Sequence, residues 1–413
     1  MDYLYSIASA APNAGRAERV EPSIRCALIS THVDWISPCT LACPGIDFTT
    51  LDIGLPNPFG LPLEGNPDVV LLEKCAYEWL VRHERVEPVL KALERWPLAL
   101  LDGGDRFELS FPPQILERAD VVLKGQGLFR DRDLYNYRVG PVYPGAVWSE
   151  KIRPREKRYR EDDLEKLRLS VPCFAVDLPA VRRELRARNA GMERSMLRLE
   201  RIARNVAESA LYHILATARH RSRDVHAAFG LTHVQRLDVV RALDGLSGTR
   251  GIIERDEPVL GTEYGRALPP DVRRAFVTAA KPYLLPRVGR VRYLRDLRRH
   301  RVVVAPCGYG ELTFRHGEAW RAGAALVCQD LSHVETLLSI RSPENAVFCR
   351  SDLSDIRSVV IALLMQEDER ERVAAEGLRK YAAWAADWEN QLQLGIGMPL
   401  RELTLCSVSS PMG

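Results

Sequence analysis

Residues 301–330 constrain the fold of this chain more than any other stretch. They read as a buried strand (RVVVAP), a glycine-rich turn (CGYGE), a helix predicted over 313–322 and a second buried strand (AALVC). Continuous apolar strands joined through a helix are typical of a parallel sheet that helices cover on both faces. This stretch therefore predicts a Rossmann-like α/β unit.

The same alternation recurs through the 413 residues. In the first part we predict strands at RCALIS, DVVLLE, PLALLD and ADVVLK, with a helix over 86–95. A second series begins at VHAAFG and continues through 249–253, the strands above, NAVFC and helices over 352–365 and 368–388. We expect two Rossmann-like domains over 1–170 and 222–395, a helical linker segment over 171–221 and a tail over 396–413.

The glycine-rich turn carries most of the chemical information. Gly308 and Gly310 permit a tight turn and a close approach of a ligand to the backbone. Thr313 can cap the next helix, whose free amides and dipole form an anion site suited to a diphosphate. Arg315 and His316, in its first turn, would add positive charge. The alternative is a unit whose glycines serve only the turn.

Glu318 lies about one turn further into the same helix. A carboxylate there can accept two hydrogen bonds from vicinal sugar hydroxyls. The spacing matches neither the dinucleotide G-x-G-x-x-G fingerprint nor the P-loop G-x-x-x-x-G-K. We therefore expect a phosphate-bearing ligand other than NAD or ATP.

The segment over 224–381 resembles the C-terminal, nucleotide-sugar domain of GT-B glycosyltransferases of the group-1-like families, including the CgeB-like proteins. The likeness lies in CGYGE followed by EAWRAGAALV, in DVHAAFGLTHVQR and in YLRDLRRHRVVVAP. It implies a GT-B fold, in which two Rossmann-like domains face each other across a cleft. It also implies a nucleotide-sugar donor, no separate cofactor, and an acceptor domain in the N-terminal half.

The resemblance also implies roles for single residues. Glu318 would bind the nucleotide ribose. The residues expected around the diphosphate or sugar are Gly230, Thr232, Arg236, Gly308, Tyr309, Gly310, Thr313 and Arg315. Many retaining members place seven residues between two glutamates, but only six separate Glu311 from Glu318 here, and Cys307 stands in the earlier place. Glu311 is therefore the candidate for the sugar contact.

A catalytic base is sought at strand ends of the first domain. Fixed cations and amides can stabilise a leaving diphosphate without a metal, but an inverting enzyme also needs a base to deprotonate the acceptor. Asp102 and Asp105 in LLDGGDRF are the first candidates, followed by Asp34, Glu73 and His32. The alternative for each carboxylate is a turn cap or a salt bridge.

Other classes of function stay open at this point. The DRD at 131–133 matches a metal-binding DxD only formally, and the seven arginines over 287–301 allow a nucleic-acid surface. The net charge of +3 is too small to imply nucleic acid by itself. The rivals to a glycosyltransferase are a nucleotide-sugar epimerase or hydrolase, and a catalytically silent GT-B-like protein that binds a partner or nucleic acid through its Arg-rich helices. A DNA-modifying transferase would combine glycosyl transfer with nucleic-acid binding, and the arginines over 287–301 keep this alternative open.

The chain lacks the features of a membrane or secreted protein. No apolar run approaches the roughly 18 residues of a transmembrane helix. The first residues, MDYLYSIASAAPNAG, have no early basic residue and no long apolar core. We therefore expect a cytoplasmic protein whose acceptor, DNA or another polymer included, the sequence does not name.

Overall fold

The structure is a computed structural model. It describes residues 23–30, 42–52, 66–103, 109–125, 127–138, 153–154, 158–171, 221–230, 235–253, 269–308 and 311–408. The expected helical linker segment over 171–221 lies almost wholly outside these residues.

The first domain is built on a six-stranded parallel sheet with the strand order β2-β1-β3-β4-β5-β9. Its strands are β1 (Ile24–Ser30), β2 (Ile46–Asp52), β3 (Val69–Glu73), β4 (Leu98–Asp102), β5 (Val121–Lys124) and β9 (Leu167–Leu169). All residues of β3, β4 and β5 are buried because helices and loops cover both faces of the sheet.

Short helices connect these strands. They are α1 (Lys74–Arg82), α2 (Val86–Leu93), α3 (Pro113–Arg118) and α4 (Glu161–Glu165), with a 3₁₀ turn at Arg132–Asn136. A small antiparallel pair joins β7 (Tyr137–Arg138) to β8 (Arg153–Pro154). Helices α1 and α2 place their apolar faces on the sheet through Leu80 and Leu90.

The second domain repeats the plan, with the strand order β12-β11-β10-β13-β14-β16, all parallel. The strands are β10 (Arg223–Gly230), β11 (Gly248–Ile253), β12 (Leu284–Leu285), β13 (His300–Ala305), β14 (Ala325–Gln329) and β16 (Val347–Cys349). The helices are α5 (Gln235–Ala242), α6 (Pro270–Ala280), α7 (Arg290–Leu297), α8 (Phe314–Arg321), α9 (Ile356–Met365), α10 (Glu367–Ala386), α11 (Trp388–Leu392) and α12 (Met398–Val408).

The carboxyl edges of the two sheets are joined by a short antiparallel ribbon. Strand β6 (Leu128–Phe129) follows the end of β5, and β15 (Val334–Glu335) follows the end of β14. The ribbon is extended by a hydrogen bond from the Arg130 amide to the His333 carbonyl, 2.9 Å. The strand ends of both domains therefore face each other.

The chain returns to the first domain at its end. The segment after residue 395, weakly patterned in sequence, forms α12, whose Leu400 is fully buried in a hydrophobic cluster with residues of both domains. Just before it, the Gln393 side chain donates to the Pro44 carbonyl. This last stretch therefore folds as a helix that packs against the first domain.

The predicted architecture, two parallel-sheet α/β domains that face each other, is confirmed. All nine named strand segments are strands. The strands that the sequence pattern did not predict lie at sheet edges, in the ribbon or in the small antiparallel pair: β2, β6, β7, β8, β9, β12 and β15. These short strands lack the continuous apolar run that reveals a strand buried on both faces.

Candidate functional site

Two buried glutamines fix the start of the glycine-rich turn. The Gln329 Oε1 atom accepts a hydrogen bond from the Cys307 amide (2.7 Å), and Gln235 Nε2 donates to the Cys307 carbonyl (3.2 Å). Each glutamine is only 1% exposed. Because the amide and the carbonyl of Cys307 are both hydrogen-bonded, the backbone leaves β13 in one defined direction toward Gly308. The sequence analysis did not single out either glutamine.

Four of the predicted donor residues meet at this turn. Arg236 Nη1 donates to the Gly230 carbonyl at 2.8 Å, at the end of β10. A methyl group at Gly308 would lie 3.1 Å from Arg236 Nη2 and 3.4 Å from Thr313 Cγ2. A guanidinium, a helix start and a glycine backbone therefore converge at the carboxyl edge of the second sheet, where open α/β sheets bind ligands.

Helix α8 begins at this point with a cap that Thr313 and His316 share. The Thr313 amide donates to His316 Nδ1 at 3.1 Å, so this nitrogen is an acceptor. Complete burial lowers the pKa of His316 to about 4. His316 is therefore neutral near pH 7, and the expectation that it adds positive charge to the site is wrong.

Arg315 lies in an aromatic box beside the turn. Its guanidinium carbon is 5.2 Å from the Phe229 ring centre and 5.6 Å from that of Tyr293, within cation–π range. Its Nη1 lies 3.1 Å from His226 Nδ1, which must accept because arginine only donates. Burial, and then the charge of Arg315, lower the pKa of His226 well below its usual value. Arg236 approaches the same Phe229 ring at 6.0 Å.

Glu318 is held by a tyrosine from the preceding helix. The Tyr293 hydroxyl donates to Glu318 Oε2 at 2.5 Å, and the glutamate is 8% exposed. A short bond to a buried carboxylate fixes its rotamer. Tyr293 was not a candidate site residue in the sequence, although it begins the stretch YLRDLRRHRVVVAP, which runs from α7 into β13.

Glu311 lies at the face that the two domains share. It is 4% exposed, and its Oε1 has no hydrogen-bond partner among the described residues. The Nε2 atom of His333, in the second domain, is 4.0 Å from Glu311 Oε1, and the His333 ring stacks on Phe129 of the first domain. A buried carboxylate oxygen that accepts no hydrogen bond is costly, so Glu311 is a candidate to accept one from a ligand.

Asp102 has the surroundings of a structural carboxylate. It is fully buried at the end of β4 and lies 3.3 Å from the ammonium of Lys124, at the end of β5. Its two oxygens also accept from the amide (3.0 Å) and hydroxyl (2.8 Å) of Ser110. Glu73 is likewise buried and accepts from the Ser30 hydroxyl. Both match the salt-bridge or capping alternative that the sequence left open.

Several predicted residues lie outside the described part of the chain. These are His32, Asp34, Asp105, Thr232, Tyr309 and Gly310. The two aspartates of DRD have local roles instead: Asp131 accepts from the Asp133 amide, and Asp133 accepts from the Asn136 side chain. Among the described residues no group of three His, Cys, Asp or Glu side chains is placed to hold a metal ion.

The arginine-rich segment over 287–301 divides into two parts. Arg292, Arg295 and Arg299 are exposed along α7 and just after it, whereas Arg301 pairs with Asp224 at 3.0 Å.

Within the described ranges, no helix is both long enough and apolar enough to span a membrane.

Comparisons with known proteins identify similar chain folds only. No family model and no curated protein matches this sequence. Sucrose-phosphate synthase from Thermosynechococcus elongatus is 11% identical over 94% of this chain and all of that one, with a TM-score of 0.46. Anabaena HepE, in complex with UDP and glucose, is 11% identical over 93% of this chain and all of its own (TM-score 0.45).

A glycosyltransferase from Rickettsia africae is 8% identical over 94% of this chain and all of its own, with a TM-score of 0.46. These likenesses are weak, and the case for function rests on the side chains described above. The solved structures named here include glycosyltransferases, the class that the sequence resembles.

Proposed function

We propose that this protein is a glycosyltransferase that takes a sugar from a nucleotide-sugar donor. The observation that carries the proposal is the convergence of Gly230, Arg236, Gly308 and the start of α8 at one sheet edge. A guanidinium beside a bare glycine backbone and a helix N-terminus suits a diphosphate, because each supplies donors or positive potential to phosphate oxygens. Such fixed groups stabilise the charge that develops on a leaving diphosphate.

The next helix supplies a second recognition group. Glu318 faces Tyr293 at 2.5 Å, and a carboxylate held in this way can accept hydrogen bonds from two ribose hydroxyls. Arg315 and Arg236 both lie near the Phe229 ring, with their guanidinium carbons 5.2 and 6.0 Å from its centre. Arg315 can therefore add positive potential to the same site. Donor binding is thus assigned to the second domain.

Glu311 is the better candidate for the reacting end of the sugar than Asp102. Its buried Oε1 accepts no hydrogen bond from a described residue and can accept one from a ligand hydroxyl, whereas both Asp102 oxygens already accept hydrogen bonds from Ser110. The acceptor would approach from the first domain, across the facing edges. No described contact favours an epimerase, a hydrolase or a silent binding protein over transfer.

The test is a calorimetric screen of UDP, GDP, ADP, CMP and dTDP and their common sugar conjugates. Wild-type protein is compared with Glu318→Ala and with Glu402→Ala, which removes an exposed carboxylate on α12. We expect one nucleotide to bind saturably, with binding lost only in Glu318→Ala. Absence of nucleotide binding, or equal binding in all three proteins, would overturn the donor site.

A further inference from the structure

We propose that the first domain contains a subsite for an anionic group of the acceptor, a phosphoryl ester or a carboxylate. The term acceptor rests on the proposed function, but the subsite itself rests on a separate pocket of about 220 Å³. The pocket lies between α1 and the segment that follows β4. Its polar lining comes from Lys74, Glu78, Ser110, Arg158 and Tyr159.

The pocket lies at the edge of the first sheet that faces the second domain. Lys74 directly follows the last residue of β3, and Ser110 is bonded to Asp102, the last residue of β4. Strand β6 leaves the same carboxyl edge to pair with β15 of the second domain. An acceptor that meets the donor between the two domains would therefore lie next to this pocket of the first domain.

The pocket has an excess of positive charge. Lys74 Nζ is 3.5 Å from Glu78 Oε1, so this pair is close to neutral. Among the described residues, no carboxylate lies within ion-pair distance of the Arg158 guanidinium, although the chain has many acidic side chains nearby in sequence. The charged lining thus sums to one net positive charge, which favours an anion.

The backbone that presents Arg158 is anchored. The amides of Arg158 and Tyr159 both donate to Oδ1 of Asn136, at 3.0 and 2.8 Å, and Asn136 is 4% exposed. The Tyr159 hydroxyl in turn donates to the Phe111 carbonyl at 3.2 Å. Although the Arg158 side chain is exposed, the backbone that carries it is fixed by the hydrogen bonds to Asn136, as expected for a binding group.

The size and walls of the pocket narrow the class of ligand. The volume of the pocket is about 220 Å³. It is smaller than the roughly 300–1,000 Å³ of pockets for drug-sized ligands. The surface that lines the pocket is mostly polar, because Leu109 and Phe111 are buried and expose little apolar area to it. Arginine binds phosphoryl and carboxylate oxygens through two parallel N–H groups.

The experiment measures binding of glucose 6-phosphate, glucuronate and glucose by calorimetry. Phosphate also suits the proposed donor site, so each titration is run with and without saturating nucleoside diphosphate from the donor screen. The variants are Lys74→Gln and Arg158→Gln. Their matched controls are Lys91→Gln on α2 and Arg160→Gln, two residues beyond Arg158, which remove exposed cations outside the pocket.

We expect at least one anionic sugar to bind, at least tenfold more tightly than glucose. Each pocket variant should weaken this binding by tenfold or more, and each control by less than twofold. Preference for the phosphate over the carboxylate, or the reverse, identifies the anion. Absence of anion binding, or binding that is equal in pocket and control variants, would overturn the subsite.

The nucleotide titrations separate this inference from the proposed function. If nucleotides bind but the anionic sugars do not, the subsite is wrong and the donor site stands. If the sugars bind through Lys74 and Arg158 but no nucleotide binds, the anion pocket stands and the transferase proposal is wrong. Circular dichroism and thermal melting confirm that every variant is folded.

Discussion

The side chains that define the candidate site are held mainly by other side chains rather than by the turn itself. Gln235 and Gln329 fix Cys307, and Tyr293 fixes Glu318, at distances between 2.5 and 3.2 Å. Such second partners determine how precisely a binding group is oriented. The first two predictions concern single residues of this kind.

Replacement of Tyr293 by Phe should weaken nucleotide binding without unfolding the protein. The change removes one hydrogen bond to a buried carboxylate, worth about 1–3 kcal/mol, which corresponds to roughly 5- to 150-fold in Kd. Calorimetry with the nucleotide that binds wild type measures it. Tyr283→Phe, in the 3₁₀ turn at Lys281–Tyr283, is the control and should leave Kd unchanged. Equal affinities in all three proteins would contradict the positioning role of Tyr293.

The stability of the protein should fall as pH decreases from 7 to 5. Burial lowers the pKa of His316 to about 4, while an unfolded histidine has a pKa near 6.5. Between these values only the unfolded state binds the proton, so acid favours unfolding by about 2 kcal/mol at pH 5. Burial lowers the pKa of His226 and His300 in the same direction.

Urea unfolding at pH 7, 6 and 5 tests this dependence. His316→Gln should lose less stability than wild type over this range, because one of the groups that binds a proton only on unfolding is gone. His83→Gln, at an exposed position at the end of α1, should behave like wild type. A His316→Gln variant with an unchanged pH dependence would show that this histidine is not buried as a neutral group.

At the scale of elements, the strands with continuous apolar runs could be predicted from the sequence. The edge strands with polar residues, and the polar contacts between distant residues, could not. VVLLE and LALLD are buried throughout, so their strands were evident from the sequence. Strand β2 (IDFTTLD) carries Asp and Thr and pairs on one side only, so it gave no such signal. The convergence of Arg236 with Gly308 was expected only from the family resemblance, because it depends on the pairing of β10 with β13, which the residue pattern itself does not reveal.

Packing of α8 against α10 depends on a glycine. A methyl group at Gly377 would lie 2.2 Å from Trp320 Cδ1, and Trp320 is 1% exposed with its Nε1 donating to the Asn345 carbonyl at 2.7 Å. Helix propensity alone favours alanine over glycine by about 1 kcal/mol. We expect Gly377→Ala nevertheless to destabilise the protein by about 1–3 kcal/mol, because the tryptophan cannot move freely.

Chemical denaturation of Gly377→Ala and Gly289→Ala measures this effect. Around Gly289 no described atom lies within 4 Å of the added methyl group, so this variant is the control. A stabilised Gly377→Ala variant would mean that the two helices tolerate a larger separation.

At the scale of the whole molecule, the ribbon of β6 and β15 joins the facing sheet edges. Gly127, directly before β6, has a φ of +116°, and a methyl group there would lie 2.6 Å from Val334 Cγ1 and 3.0 Å from the Glu335 carbonyl. The sequence predicted two facing domains, but a two-residue strand on each side is too short to detect by periodicity.

Gly127→Ala should open the ribbon while both sheets stay folded. We expect amides 128–130 and 333–335 to exchange with deuterium faster, by tenfold or more, and amides of β4 and β13 to exchange as in wild type. Gly245→Ala is the matched control, since Gly245 also has a positive φ (+84°) but no described atom near the added methyl group. Unchanged exchange at the ribbon would show that the domains are joined by other contacts.

In the proposed function, Arg236 and the glycine-rich turn bind the diphosphate of the donor. The most direct measurement is calorimetric titration of UDP, GDP and ADP into wild type, Arg236→Gln and Arg241→Gln. Both arginines lie on α5, but only Arg236 reaches Gly230 and Gly308, and Arg241 is exposed. We predict that one diphosphate binds wild type and Arg241→Gln alike and binds Arg236→Gln at least tenfold more weakly. Failure of all three diphosphates to bind wild type, or equal binding to Arg236→Gln, would contradict the account.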